Sequence, residues 1–301
     1  MIKIVIIGNS AAGFSCCNSL LKIKPDIELT VISQESFPAY KANLLIGYLA
    51  GNVNEEGLFL CKEDFYEMNK IRFLKDSKAV GINIRKKLVF LKDNNKINYD
   101  YLVIATGQKI SIPDIPGNTK DGVFGVYSLE DINKIKDRLL ITDTVCIVAE
   151  PVLSLRLAEV FAKKDKFVKV VSAPKPESFI LTENIEWIDS FHVSEIIGEG
   201  AQLKALKLNN GKAIGTPLIL FAGNYAPCTE FLKDTNIKVH EGYIVVDSAG
   251  RTSVENIFAC GSVCIDKSLA VKEKSWEEAE NDGISAATNL IFFLTQPLKS
   301  V

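Results

Sequence analysis

The chain has 301 residues, of which 47% are hydrophobic and 24% are charged, and its formal net charge is −2. This length suffices for about two domains with a sizeable core, and the composition is typical of a globular protein rather than a disordered or fibrous one. The chain has 35 basic and 37 acidic residues, so there is no excess of basic residues. We therefore expect neither nucleic-acid binding nor attachment to a membrane surface.

The N-terminal segment, MIKIVIIGN, has the pattern of a buried strand that ends at Gly8 and lacks the pattern of a signal peptide. No apolar run approaches the length of a membrane span. The seven cysteines are an odd number and show neither redox-pair nor zinc-ligand spacing. We therefore predict a cytoplasmic protein with reduced thiols, no membrane span and no metal site.

Short continuous apolar runs are typical of strands in a parallel sheet whose two faces are covered by helices. Such runs lie at 3–7, 29–32, 101–105, 145–149, 168–171 and 218–222. Helical spacing follows the first run at 13–24 and the fourth run at 153–163. Two strand–helix–strand units predict an α/β fold with two doubly wound, Rossmann-like domains. The Pro- and Gly-rich stretch 111–122 predicts a linker.

The segment between the first strand and the first helix has the context of a dinucleotide-binding turn. Glycine at its start permits a tight turn, glycine at its end permits close packing of helix on strand, and the first helical amides face a pyrophosphate. A tight turn that holds no ligand is the alternative for this motif alone. The predicted nucleotide contacts are Gly8, Asn9, Ser10, Ala11, Ala12 and Gly13.

An acidic residue at the end of the second strand is expected to bind the ribose hydroxyls of the nucleotide. The residues at that point are Ser33, Gln34 and Glu35, and Glu35 is the candidate, one or two residues later than the usual pattern.

Four segments resemble, in chain order, those of the FAD-dependent pyridine nucleotide-disulphide oxidoreductase superfamily. Residues 100–107 (DYLVIATG) resemble its ATG motif and residues 255–262 (ENIFACGS) its second FAD motif, while 33–51 and 276–289 resemble the NADH:rubredoxin reductase and nitrite reductase flavoprotein branch. The resemblance implies an FAD-binding domain formed by 1–112 and 243–301, into which a shortened, degenerate NAD-binding-like domain, 113–242, is inserted.

The resemblance also implies further FAD contacts. Lys41 would lie at the N5 edge of the flavin, where a cation favours the reduced anionic form, and Trp276 would cover the pyrimidine end of the ring. A solvated lysine and a packing aromatic residue are the respective alternatives. The implied contacts, in addition to those of the first turn, are Lys41, Asn43, Val80, Ala105, Thr106, Gly107, Gly261, Ser262 and Trp276.

The sequence departs from the family pattern in three places that affect function. Asn43 stands where relatives carry a redox-active cysteine, and Ser262 replaces an aspartate that contacts the ribityl chain, so FAD binding is expected to be weaker. At the second glycine turn Ala149, Pro151 and Ser154 replace the three glycines, and Glu150 places a negative charge beside the expected pyrophosphate. We therefore do not expect NAD(P)H to bind.

The sequence thus predicts an FAD-binding oxidoreductase that exchanges electrons with a protein partner of the iron-sulfur or rubredoxin kind, or within a larger redox complex. Two alternatives stay open. One is an NAD(P)H-dependent FAD reductase of the same family with an atypical nucleotide site, and the other is a non-catalytic, flavoprotein-like subunit. A homo-oligomer and a hetero-oligomer are equally compatible with the sequence.

Overall fold

The computed structural model of the protein describes residues 1–23, 26–177, 183–189, 192–271 and 273–295. In chain order the strands are β1 (Lys3–Ile7), β2 (Glu28–Ile32), β3 (Arg72–Leu74), β4 (Ala79–Asn83), β5 (Leu88–Leu91), β6 (Lys96–Asn98), β7 (Tyr101–Ile104), β8 (Gln108–Ile110), β9 (Val123–Gly125), β10 (Thr144–Val148), β11 (Phe167–Val171), β12 (Ile185–Ile188), β13 (Val193–Glu199), β14 (Gln202–Leu208), β15 (Ala213–Gly215), β16 (Ile219–Phe221), β17 (Tyr225–Pro227), β18 (Val239–His240), β19 (Tyr243–Val245), β20 (Ile257–Ala259) and β21 (Cys264–Ile265). The helices are α1 (Ala11–Ile23), α2 (Leu45–Ala50), α3 (Phe65–Met68), α4 (Leu129–Leu139), α5 (Pro151–Ala162) and α6 (Trp276–Thr295).

One compact unit comprises the described residues of Met1–Asn43, Leu58–Gln108 and Pro227–Val301. Its main sheet is parallel, with the strand order β20-β7-β1-β2-β3. Side chains of α1 and α6 form a core with Ile4 and Ile6 of β1, while Val5 and Ile7, which point to the opposite face, pack with residues of the antiparallel sheet β4-β5-β6. Both faces of the central strand are thus buried, as its uninterrupted apolar sequence requires.

The other compact unit comprises Leu44–Gly57 and the described residues of Lys109–Ala226. Its main sheet is also parallel, in the order β12-β11-β10-β16-β9, and an antiparallel sheet β13-β14-β15 packs its apolar side chains with those of β10 and β16. Helix α4 begins with a capping box, in which the Ser128 hydroxyl and the Asp131 carboxylate each accept the other residue's backbone N–H.

The two parallel sheets confirm the predicted α/β fold with two doubly wound domains, the second inserted in the first. The predicted helix at 13–24 is α1, although Lys24 lies outside the described residues. The compact units place 44–57 and 109–112 in the second unit and 227–242 in the first, whereas the domain boundaries predicted from the sequence assign each of these stretches to the other domain.

The prediction of a linker at 111–122 is wrong. The N–H of Ile196 donates to the carbonyl oxygen of Pro116, and the N–H of Asp121 donates to that of Ala201, so this stretch is hydrogen-bonded within the second unit. Its prolines and glycines break regular structure without loosening the chain, because side-chain packing and these hydrogen bonds hold it in place. In the described part of the chain, no helix has the length and apolar composition needed to cross a membrane.

Candidate functional site

The predicted cofactor residues of four segments lie at one edge of the first unit's parallel sheet. Strands β1, β2, β7 and β20 run in the same direction, and Ile7 is paired with both Ile32 and Ile104. Their carboxyl ends therefore meet at a common edge, where ligands bind in open α/β sheets. The segments that begin there are 8–13, 33–35, 105–107 and 260–262.

The turn after β1 requires glycine at both ends. Gly8 has a φ of +113°, and a Cβ there would lie 2.1 Å from the carbonyl oxygen of Ala105. A Cβ at Gly13 would lie 2.1 Å from the carbonyl oxygen of Gly8. The backbone of α1 therefore starts directly against the sheet, which leaves its first amide groups at the edge where a pyrophosphate would bind.

Asn9 offers this edge a buried polar group. Its Oδ1 accepts a hydrogen bond of 2.9 Å from the hydroxyl of Tyr66, whereas its Nδ2 is buried without a partner among the described residues. An unpartnered buried amide is costly, and an acceptor oxygen supplied by a ligand would satisfy it. The turn thus has the shape and the hydrogen-bonding capacity to hold the pyrophosphate of a dinucleotide.

Tyr66, on α3, is a site residue that sequence reasoning missed. Its ring stacks on Phe73 at 4.0 Å between centroids, and its hydroxyl also accepts the N–H of Ala39 at 3.2 Å. Burial raises the pKa of this phenol, which keeps the hydroxyl protonated and able to donate to Asn9. No local pattern indicated this role, because 57 residues separate the two partners.

The predicted ribose-binding segment after β2 is organised by its own side chains. The Ser33 hydroxyl accepts the N–H of Glu35 at 3.2 Å, and Oε2 of Glu35 accepts a hydrogen bond of 2.7 Å from the hydroxyl of Tyr40. Glu35 is half-buried, while Gln34 is exposed. The Glu35 carboxylate is therefore held at this end of the sheet, despite its late position in the sequence.

The other predicted contacts lie on several different elements and loops of the first unit. The hydroxyl of Thr106 donates a hydrogen bond of 2.8 Å to the carbonyl oxygen of Cys228. This bond connects the ATG segment to the part of the first unit that begins at Pro227. Lys41 is half-buried and Asn43 is exposed. Val80 lies on β4 of the antiparallel sheet and is 48% exposed, and Trp276 is the first residue of α6.

The turn after β20 contains Gly261 and Ser262, and Gly261 has a φ of +80°. A Cβ at Gly261 would lie 2.7 Å from the Cβ of Ala12, so this turn contacts the start of α1. Two residues that the sequence did not single out, Lys274 and Asp282, bind the backbone of Gly261. Their separation in sequence from the glycine turn hid them from motif reasoning.

The second unit has a corresponding strand–turn–helix between β10 and α5, but its helix is capped by its own chain. The carboxylate of Glu150 accepts the N–H of Val152 at 2.8 Å and that of Leu153 at 2.5 Å. Pro151 has no N–H to offer, and the buried hydroxyl of Ser154 donates to the carbonyl oxygen of Ala149 at 3.1 Å. The backbone amides that would bind a phosphate are therefore already hydrogen-bonded to the carboxylate of Glu150.

All seven cysteines are free thiols in the structure. Burial raises the pKa of Cys264 to about 11 and that of Cys146 to about 12, so these thiols are neutral near pH 7 and packed as apolar side chains. Within the described ranges, no three His, Cys, Asp or Glu side chains are grouped so as to hold a metal ion.

Comparison with known proteins gives consistent similarities. The sequence model of the family "Pyridine nucleotide-disulphide oxidoreductase" matches residues 2–283. The chain is 28% identical to an NADH-rubredoxin oxidoreductase of Clostridium acetobutylicum, over 87% of this chain and 68% of that protein. It is 26% identical to an NADH oxidase of Methanocaldococcus jannaschii, over 88% of this chain and 63% of that one, so it spans about two thirds of each relative.

A solved structure, the covalent putidaredoxin reductase–putidaredoxin complex, contains a chain of similar fold. Its TM-score is 0.83 at 20% identity, with 95% of this chain and 74% of that chain covered. At this identity the likeness concerns the fold, and it agrees with the two doubly wound units described above.

Proposed function

The chain belongs to the pyridine nucleotide-disulphide oxidoreductase family, and from that premise we propose that it is an FAD-binding oxidoreductase that exchanges electrons with an iron-sulfur or rubredoxin-type protein rather than with NAD(P)H. The FAD-binding part in this proposal is the unit that contains residues 1–43, 58–108 and 227–295. When bound, FAD supplies the electron-transfer chemistry, and the protein supplies position and electrostatics.

The fit of FAD rests on the first glycine turn. Gly8 and Gly13 leave no room for side chains between the turn and the sheet, so the backbone itself faces the ligand. The buried Nδ2 of Asn9 needs an acceptor, which the pyrophosphate oxygens offer. Glu35, held by Tyr40, would accept hydrogen bonds from the ribose hydroxyls.

The observation that carries the proposed choice of electron donor is the capping of α5 by Glu150. A pyrophosphate at this turn would have to displace a carboxylate from two backbone amides and then remain beside its negative charge. A side-chain N-cap of this kind contributes about 0.5 to 2 kcal/mol, and repulsion between the two anions adds to the cost, so the displacement weakens nucleotide binding. The strand that follows, β11, ends at Val171, and neither Val171 nor Ser172 after it offers an acid for an NAD ribose or a cation for an NADP phosphate.

The proposed partner class follows from what the relatives are called. The Clostridium acetobutylicum relative is an NADH-rubredoxin oxidoreductase, and the solved complex pairs a reductase with putidaredoxin. An NADH-rubredoxin oxidoreductase takes electrons from NADH and passes them to rubredoxin. A chain that does not bind NADH would retain only the second step, the electron exchange with a small redox protein. The NADH in several of these names favours the alternative of an ordinary NADH-dependent reductase, which rapid anaerobic reduction of the bound flavin by NADH would support.

The experiment begins with the purified protein reconstituted with excess FAD and freed of unbound cofactor. A visible flavin spectrum and FAD in the heat-released extract are expected, and a colourless protein would contradict the cofactor assignment. The reduced protein is then mixed anaerobically with oxidised rubredoxin or an iron-sulfur ferredoxin, and the oxidised protein with their reduced forms. Electron exchange with at least one of these proteins supports the partner class, and exchange with none of them overturns it.

A further inference from the structure

Two charged side chains hold the glycine turn that follows β20. Oδ2 of Asp282 accepts the N–H of Gly261 at 3.3 Å and a hydrogen bond of 2.6 Å from Nζ of Lys274. The same Nζ donates to the carbonyl oxygen of Gly261 at 3.1 Å. The backbone of Gly261 is thus bound on its amide side and on its carbonyl side by the two members of one ion pair.

This ion pair is partly shielded from solvent. The Lys274 side chain is 24% exposed and that of Asp282 is 36% exposed. Exposed surface pairs contribute little, because water screens them and two long side chains must be ordered. Here both groups also bind backbone atoms of a turn with a positive φ, so their geometry is fixed by more than mutual attraction.

The turn held by this pair touches the first glycine turn. A Cβ at Gly261 would lie 2.7 Å from the Cβ of Ala12. Gly283, the residue after Asp282, packs so closely that a Cβ there would lie 2.1 Å from the carbonyl oxygen of Ala12. Helix α6 therefore positions Asp282 where the start of α1 contacts the Gly261 turn. A displacement of Lys274 or Asp282 would shift both the Gly261 turn and the first glycine turn.

We propose that Lys274 and Asp282 are a positioning pair for FAD, which fixes the Gly261–Ser262 turn against the start of α1 so that the cofactor meets a preformed surface. Ser262 offers this turn only a neutral hydroxyl, so its fixed charges come from Lys274 and Asp282. The inference rests on the proposed FAD function and adds residues to the same site. Neither residue needs to contact the flavin ring itself, since each acts through Gly261.

The test compares FAD dissociation constants of the full chain and its variants. Lys274→Met leaves Asp282 without its cation, and Asp282→Asn removes the charge but keeps the shape of the side chain. Each is expected to weaken FAD binding about tenfold or more. Lys274→Arg, which keeps the charge and the donors, is expected to recover part of the affinity. Lys267→Met, an exposed lysine on the same segment, is the matched control and is expected to bind FAD as the unmodified protein does.

Two further measurements separate positioning from general stability. The visible circular dichroism of bound FAD is expected to change in Lys274→Met and Asp282→Asn, while the free energy of unfolding of the FAD-free protein changes less than the free energy of FAD binding. Affinities within about twofold of the unmodified protein, with an unchanged spectrum, would overturn the inference. A loss of apoprotein stability as large as the loss of binding would also overturn it. Failure of the unmodified protein to bind FAD is a different result, which overturns the proposed function itself.

Discussion

The hydroxyl of Tyr66 donates a hydrogen bond of 2.9 Å to Oδ1 of Asn9, which links α3 to the first glycine turn across 57 residues of sequence. The same hydroxyl accepts the N–H of Ala39 at 3.2 Å. Tyr66→Phe would leave both partners with an unsatisfied buried group, and we expect it to lower the free energy of unfolding by about 1 to 3 kcal/mol. Denaturant titrations with and without FAD measure this, and the loss is expected to be larger in the presence of FAD, because Asn9 is one of the proposed FAD contacts.

Tyr101→Phe is the matched control for this prediction. Its ring is half-buried, and in the part of the chain that the structure describes its hydroxyl has no hydrogen-bond partner. We expect its unfolding free energy and its FAD affinity to stay close to those of the unmodified protein. Equal effects of the two substitutions would show that the hydroxyl of Tyr66 does not organise the turn.

The glycine turn is expected to tolerate no side chain at Gly13. A Cβ there would lie 2.1 Å from the carbonyl oxygen of Gly8, a backbone atom that cannot rotate away. We expect Gly13→Ala to cost about 1 to 3 kcal/mol or more and to abolish FAD binding, since α1 must move off the sheet. Gly215→Ala, where a Cβ would meet nothing within 4 Å, is the control that should stay stable. Thermal unfolding measures the stability of both variants, and FAD titration measures their affinity. A Gly13→Ala protein that binds FAD would contradict this prediction.

The sequence was informative wherever local rules act alone. The run at 3–7 coincides with β1, and the run at 145–149 differs from β10 by one residue at each end, because buried parallel strands are uninterrupted apolar segments. The antiparallel sheets β4-β5-β6 and β13-β14-β15 were not predicted, since their half-buried strands mix polar and apolar residues. Periodicity over such short segments is too weak to identify them.

The site was predictable only in part for a similar reason. The glycines at 8 and 13 follow from the backbone conformation that their positions need, which sequence spacing reveals. The sequence predicts that Glu150 repels a pyrophosphate by its charge. In the structure its carboxylate also accepts hydrogen bonds from the first backbone amides of α5. Lys274, Asp282 and Tyr66 bind residues that are distant in the sequence. Asp282 lies in the segment 276–289 that resembles the family, but the resemblance does not indicate its contact with Gly261.

The stability of the protein is expected to fall above pH 9 because of buried thiols. Burial raises the pKa of Cys264 from 9.0 to about 11, although Lys274 acts in the opposite direction. Between these values the unfolded chain loses the thiol proton while the folded chain keeps it, so unfolding becomes easier as the pH rises. One such group contributes about 1.4 kcal/mol per pH unit over this interval, and the contribution is fully present below pH 9.

Denaturant unfolding at several pH values from 8 to 11 measures this slope, and Cys264→Ala is the variant that isolates one thiol. Its stability is expected to fall less steeply with pH than that of the unmodified protein by about 1.4 kcal/mol per pH unit. Parallel curves for the two proteins would show that Cys264 ionises equally in the folded and unfolded states.

The most direct test of the account asks which donor reduces the bound FAD, by anaerobic stopped-flow spectroscopy of the FAD-loaded protein. Dithionite is expected to bleach the flavin, whereas NADH and NADPH are expected to reduce it slowly or not at all. Glu150→Gly frees the amides of Val152 and Leu153 and should accelerate reduction by NADH severalfold, while Glu130→Gln, which removes an exposed carboxylate from the first turn of α4, should not. Reduction of the unmodified protein by NADH at rates typical of enzymes, with no gain in Glu150→Gly, would contradict the claim that this chain closes its nicotinamide site with its own carboxylate.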